Sequence, residues 1–234
     1  KSTTSAMLYQ ILLDANYEPS IISGAGLTSI IKQGKIGNAA VGKGDWLIIE
    51  ADESDGSVVQ YHPEIGVLLN IDKDHQEIDE LIELFTIFKN NSRSLFVVNQ
   101  SNTLAKSLSE NSKNDFGFED ENAGYSAENF NQQGLSLSFE VQNQKFQINS
   151  LGQHSVENAV AAISVAHQIG ISLEICAKSL ANYEGIYRRH QILGQKNGVW
   201  VIDDYAHNPA KCAASIKACQ PLAKKVIAWF QPHG

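Results

Sequence analysis

Apolar positions along the first hundred residues follow two alternating rhythms. Met7, Leu8, Ile11, Leu12 and Ala15 recur at spacings of three and four, which predicts a helix from Thr4 to Asn16. Trp46 to Ile49 is a short unbroken apolar run that stops abruptly in acid, at EADESD. Val67 to Ile71 repeats the design and ends in Asp72, Asp74 and His75. Ile78 to Phe88 returns to helical spacing, and SLFVVNQ is a third strand-like run. Strands alternating with helices, each apolar run ending in polar residues, imply a parallel sheet with helices on both faces. Ligands of such sheets bind at the carboxyl ends of the strands, so the two acid-terminated runs are expected at one edge.

The texture then changes. Leu135 to Ser150 alternates apolar and polar residues about a short polar turn, which predicts an antiparallel hairpin. SVENAVAAISVAHQIG and SLEICAKSLANY read as two helices. Near Gly185 the first pattern restarts: Val199 to Ile202 as a strand running into DDYAHNPA, Pro209 to Cys219 as a helix, Lys225 to Phe230 as a strand. The expected fold is therefore α/β. It is a mostly parallel, P-loop-type sheet with flanking helices and a small hairpin, followed by the start of a Rossmann-like unit. The boundary falls near Tyr187, giving units 1–187 and 188–234.

Composition narrows the partners. The 234 residues carry a net charge of -8, which argues against a nucleic-acid backbone or an anionic membrane as the main partner. Cys176, Cys212 and Cys219 show no metal-type spacing and read as reduced thiols. No apolar run reaches the roughly 18 residues of a membrane span, and no signal-peptide pattern is present, so a soluble, cytoplasmic protein is expected.

The candidate chemistry lies at the strand and helix ends. Lys1, Ser2 and Thr3 open the first helix, as does the tail of a phosphate-binding loop of the form G-x-x-x-x-G-K-[ST]. Helix N-terminal N–H groups favour an anion, the lysine neutralises phosphate charge, and the hydroxyl reaches a magnesium ion. The same residues would equally serve a capped surface helix. Glu50, at the end of its strand, is placed to hold a hard cation through oxygen, the alternative being a solvated acidic turn. His75 ends the next strand and is either structural or a ligand at the same edge. In GQHSVEN, His154 and Asn158 are four residues apart on one helix face. An amide such as that of Asn158 can pair with a base edge by donating and accepting together, and helix capping is the competing reading for His154 and Ser155. Arg188 and Arg189 suit phosphate or carboxylate contacts, or a solvated pair. Asp203 and Asp204 end the strand of the second unit; one carboxylate there is suited to ribose hydroxyls and the other to capping a loop.

Taken in order, KSTT, EADESD, NIDKDH, G-x-H-x-x-x-N, Y-x-G-x-x-RR, DDYAHNP and FQPH resemble the Mur ligase family of ATP-dependent amide-forming enzymes, over essentially the whole chain. The likeness is nearest to the branch that joins L-alanine to UDP-N-acetylmuramate in peptidoglycan precursor synthesis. A murein tripeptide recycling ligase shares most of these motifs. A nucleotide-binding paralogue without ligase activity and a folylpolyglutamate synthase are the remaining alternatives, and DDYAHNP and FQPH fit the muramate branch better than the last. The resemblance implies a central ATPase unit from its P-loop lysine onward, with glycine-rich residues ahead of Lys1, and the beginning of the C-terminal ligase unit. It implies that ATP phosphorylates the muramoyl carboxylate and that the amine of alanine then attacks the acyl phosphate.

By motif, Lys1 and Thr3 would contact phosphates, Ser2 and Glu50 a first Mg2+, and His75 a second. Asn158 with His154 would hold adenine. Arg188 or Arg189 and Asp204 would meet the nucleotide, and Tyr205 and His207 would lie where the third unit closes. Three features depart from the family pattern: Asn208 replaces a second histidine, Gly234 replaces an arginine, and the segment after His75 is short. The position of the carbamylated lysine of other members falls near Thr86, so no such residue is assigned.

Overall fold

The computed structural model describes residues 1–72, 77–207 and 209–231. Helix α1 (Ser2–Asp14) starts two residues earlier than the apolar spacing indicates, because polar Ser2 and Thr3 also take helical backbone. It stops where Asn16 turns left-handed, at φ 63°. The Asn16 N–H then bonds the Leu13 carbonyl and the Tyr17 N–H the Leu12 carbonyl, a Schellman closure of the last turn.

Strand β1 (Ser20–Ile22) follows, then a one-turn helix α2 (Thr28–Ile31), β2 (Ala39–Ala40) and β3 (Leu47–Ile49). β1 pairs parallel with β3 and antiparallel with β2. Strand β4 (Ile65–Leu68) lies earlier than the expected Val67–Ile71, its length set by its parallel register with β5 (Leu95–Val98). Helix α3 (Ile78–Asn91) connects them and buries Phe85 and Phe88 over Phe96 and Val98. β3 and β4 belong to separate sheets, and residues of both line one large cleft.

After a short helix α4 (Thr103–Lys106), a four-stranded sheet runs β6 (Phe116–Phe118), β7 (Tyr125–Gln133), β8 (Ser136–Val141) and β9 (Gln144–Asn149). The expected hairpin is β8–β9, closed by Gln142 and Asn143, both with positive φ as a two-residue primed turn requires. β6 and β7 carry no comparable signal. Only Tyr125, Ser126 and Ala127 of β7 are buried, and an irregularity between Glu128 and Asn131 breaks its alternation.

Helix α5 (Gln153–Gln168) is the centre of the molecule. Ala159, Ala161, Ala162 and Ala166 on it are fully buried, and such small side chains let α1 and α6 (Leu173–Ala181) pack closely against it. Met7, Ile11, Leu12, Phe139, Ile148, Ile163 and Leu180 fill this core.

The second unit opens with β10 (Gln191–Lys196), which sequence periodicity does not reveal, paired antiparallel with β11 (Val199–Asp203). Helix α7 (Pro209–Cys219) lies where expected. The strand expected over Lys225–Phe230 is not formed. A strand needs a hydrogen-bonded neighbour, and residues 225–230 have none among the described residues; Ile227 is 82% and Trp229 98% exposed.

Candidate functional site

A cleft of about 2300 Å³ collects the polar ends of these elements. The first turn of α1 supplies Lys1, Ser2, Thr3 and Thr4, the segment after β3 supplies Glu50, Asp52 and Glu53, and the segment after β4 supplies Asp72. The start of α5 adds His154 and Asn158, and the second unit adds Arg189, Asp204, Tyr205 and His207. Arg188 alone among the described candidates is not in its wall. His75 lies outside the described residues, as do Asn208, His233 and Gly234. Thr86 donates its hydroxyl back to the Ile82 carbonyl at 2.7 Å within α3 and takes no part in the cleft.

Glu50 is the best-anchored of these groups. Its Oε1 accepts the Ser2 hydroxyl at 2.9 Å, and its Oε2 accepts the Gly24 N–H at 2.7 Å and the Ser23 hydroxyl at 3.1 Å. Gly24 makes the approach possible, because a Cβ there would stand 3.2 Å from both carboxylate oxygens. Glu50 is thus fixed against the N-terminus of α1, where backbone dipoles also favour anions.

Lys1 Nζ reaches Glu53 Oε2 at 2.6 Å and Asp52 Oδ2 at 3.1 Å. Burial opposes its charge, but the bonds to Glu53 and Asp52 outweigh that and raise its pKa. Asp52 is held down to about 2, chiefly by the Ser54 hydroxyl and N–H and further by Lys1. These side chains are 35–55% exposed, so the pairing is weak enough for Lys1 to be exchanged onto an incoming anion.

From the same turn of α1, the Thr4 hydroxyl donates to Asn158 Oδ1 at 2.8 Å. His154 Nε2 sits 3.4 Å from His190 Nδ1, joining α5 to the second unit. Gly152, at φ 76°, opens α5 with no side chain, and a Cβ there would crowd both His154 and Ala218 of α7. Asp204 Oδ2 accepts the His190 N–H at 2.8 Å and Oδ1 accepts the Ala206 N–H at 3.0 Å. The carboxylate thereby ties the chain after β11 to the segment before β10, within the second unit. Arg188 and Arg189 both lie over the Tyr205 ring, 5.3 and 5.0 Å from its centroid, and Arg188 Nε pairs with Asp203 at 3.4 Å. His207 directs Nδ1 to the Tyr205 carbonyl at 3.0 Å.

Burial lowers the pKa of His154 to about 4, with the neighbouring His190 adding to the effect and Asp204 opposing it; His190 is lowered too, again by burial. Unfolding therefore releases His154 to take up a proton between its ordinary pKa near 6.5 and about 4. The stability it contributes is whole above pH 6.5 and is lost as pH falls toward 4. The urea midpoint should drop between pH 7 and pH 5.5, and His154→Phe should flatten that drop; an equal drop in the variant would contradict the linkage.

Several residues of the site escape sequence inspection. Ser23 and Gly24, which orient Glu50, were signalled only by the small-residue run SGAG after β1. Thr4 meets Asn158 across 154 residues and His190 meets His154 across 36, contacts that no local pattern reports.

The chain thus has an α/β fold whose cleft opens on a helix N-terminus, with hydroxyl, carboxylate and amide groups in its wall. The chain belongs to the Mur ligase family. Its middle-domain model matches residues 1–166, and the model for the Mur ligase, glutamate ligase domain matches residues 188–233. The UDP-N-acetylmuramate–L-alanine ligase of Synechococcus sp. (strain JA-3-3Ab) is 33% identical over 245 aligned residues, covering 100% of this chain and 46% of that protein. The enzyme of the same name from Syntrophomonas wolfei is 35% identical, covering 100% and 53%. The chain thus spans about half the length of these relatives.

Among solved structures, UDP-N-acetylmuramate–alanine ligase from Thermotoga maritima superposes with a TM-score of 0.84 at 23% identity, over 96% of this chain and 53% of that one. A murein peptide ligase from Psychrobacter arcticus gives 0.71 at 22% identity, over 96% and 54%. At these identities both establish the fold. Among the described residues, no helix is long and apolar enough to cross a membrane.

Proposed function

We propose that this chain is the ATP-binding part and the start of the amino-acid unit of a cytoplasmic ligase that joins L-alanine to UDP-N-acetylmuramate. Residues 1–187 form the first and 188–234 the second. The observation that carries the reading is the shared cleft, in which Ser2 with Glu50, Asn158 with His154, and Arg189 with Asp204 face one space from three parts of the chain.

The residues fit Mg2+ in kind. Ser2 Oγ and the Glu50 carboxylate are hard oxygen donors already in contact, and magnesium bound with phosphates needs only one or two protein carboxylates. Among the described residues there is no group of three or more His, Cys, Asp or Glu side chains that could hold a metal ion, and Ser2 and Glu50 would share the ion with substrate oxygens and water. The ion, when bound, would neutralise charge on the transferring phosphoryl group. Lys1, released from Asp52 and Glu53, would do the same, and the α1 N-terminus would orient the phosphates. Arg189 would contact the nucleotide from the second unit, Asn158 and His154 would hold the base, and Tyr205 and His207 would lie where that unit closes. His75 is assigned to a second Mg2+ on its motif alone.

Catalysis here is chiefly positioning and charge neutralisation of a carboxylate, a phosphate and an amine. The test is coupled ADP release by the full-length protein with each amino acid and each muramoyl acceptor. ADP should appear only with UDP-N-acetylmuramate and L-alanine together. Release only with a tripeptide would move the assignment to the recycling ligases, and none with any acceptor would leave a nucleotide-binding protein without ligase activity.

A further inference from the structure

We infer that Ser23 is a positioning residue that makes Glu50 a one-oxygen ligand, and that the site thereby favours Mg2+ over Ca2+. The inference rests on the ATP and Mg2+ reading above. The parallel register of β1 with β3 sets Ile22 beside Ile49, and the Glu50 N–H bonds the Ile22 carbonyl at 2.9 Å. Ser23 and Gly24, which follow Ile22, are thereby laid against the Glu50 side chain. Ser23 is 5% exposed, and its Oγ accepts the Ala25 N–H at 3.3 Å, which leaves the hydroxyl hydrogen directed at Glu50.

The two oxygens of Glu50 are used unequally. Oε2 accepts both the Gly24 N–H at 2.7 Å and the Ser23 hydroxyl at 3.1 Å, one donor for each of its two lone pairs. Among the described residues, Oε1 accepts the Ser2 hydroxyl alone, at 2.9 Å, and keeps a lone pair available. The carboxylate therefore has one position to give a cation, beside the Ser2 oxygen. Magnesium demands near-ideal octahedral geometry and is served by a single carboxylate oxygen, whereas calcium takes more oxygens and readily accepts both of one carboxylate. A two-oxygen grip on Glu50 would have to displace one of the donors on Oε2. The Gly24 N–H is fixed in the backbone, so the Ser23 hydroxyl is the donor that decides how many oxygens Glu50 offers, in the way that groups behind a metal ligand tune the metal it takes.

The test uses the full-length protein and reads calorimetric dissociation constants for β,γ-methylene-ATP with Mg2+, with Ca2+ and without metal. The unaltered protein should bind the Mg2+ complex more tightly than the Ca2+ complex. Ser23→Ala should narrow that preference by about three- to tenfold, the worth of the hydrogen bond removed. Ser23→Thr keeps the hydroxyl and should keep the preference. A second readout needs no change at Ser23. In the Mg2+ complex, the Glu50 carboxylate, identified in infrared spectra by the bands lost in Glu50→Gln, should show the wide separation of antisymmetric and symmetric stretches that marks one-oxygen coordination.

Equal weakening of the Mg2+ and Ca2+ complexes in Ser23→Ala, with the preference unchanged, would show Ser23 acting through the fold alone and overturn the inference. So would the narrow stretch separation of a two-oxygen carboxylate in the Mg2+ complex, or equal binding of the two complexes by the unaltered protein. Nucleotide binding that gains nothing from Mg2+ would overturn the metal reading beneath the inference, and no nucleotide binding at all would overturn the ATP reading itself.

Discussion

Glu50→Gln is expected to reduce Mg-ATP-dependent turnover by about 100- to 1000-fold, the usual cost of removing one preorganised charge-stabilising group. The substitution keeps the shape of the side chain. It removes the negative charge that suits a hard cation; the amide oxygen can still accept from the Gly24 N–H and the Ser23 hydroxyl, while its NH2 faces the Ser2 hydroxyl. Glu50 is only part-buried, so water can serve those donors and the fold should persist. Circular dichroism and the thermal midpoint should change little while turnover collapses, and raising Mg2+ should restore part of it. Glu50→Ala should behave alike. Near-normal turnover in either variant would refute the metal role and return EADESD to a solvated turn.

The second large effect falls on stability. Asp115 is fully buried and accepts the Val98 N–H at 2.9 Å, the Gln100 side-chain amide at 2.6 Å and the Ser109 hydroxyl. A carboxylate inside a protein persists only with such a set of donors. Here they belong to the end of β5, the segment between β5 and α4, and the segment after α4, so one side chain ties the strand end beside the cleft to the start of β6. Asp115→Ala strands these donors without an acceptor and should destabilise by about 3 kcal/mol or more. For a chain of this size that corresponds to a fall of about 6–12 °C in thermal midpoint. Asp115→Asn, which keeps one acceptor, should fall between. A shift under about 2 °C for Asp115→Ala would contradict the keystone role.

Much of the fold was legible because burial imposes periodicity. The α1 stripe, the runs ending at Glu50 and Asp72, α3, β5, the β8–β9 hairpin, α5, α6 and α7 all bury one face or both, and their apolar spacing says so. What was not legible lacks that cause. β7 carries polar residues along most of its length, β10 is interrupted by Gly194, and Lys225–Phe230 has strand-like composition with no neighbour to pair with among the described residues. The site divides in the same way. Lys1, Ser2, Glu50, Asn158 and Asp204 were visible because chemistry at a strand or helix end sits beside a recognisable change of pattern. Which atoms they engage was not visible. Lys1 rests on Asp52 and Glu53, Asp204 caps the backbone of His190, and Asn158 is committed to Thr4; each contact depends on chain segments brought together only by folding.

The central claim, that this cleft activates a carboxylate by phosphorylation before an amine attacks it, has a direct test in atom transfer. The full-length protein would be given ATP, L-alanine and UDP-N-acetylmuramate carrying 18O in its lactyl carboxylate. In the expected sequence a carboxylate oxygen bonds the γ-phosphorus and ADP leaves. The amine nitrogen then bonds the carbonyl carbon, and that oxygen departs with the phosphate. The inorganic phosphate should therefore carry one 18O for each amide formed. Unlabelled phosphate alongside amide, or label in AMP instead, would contradict the account.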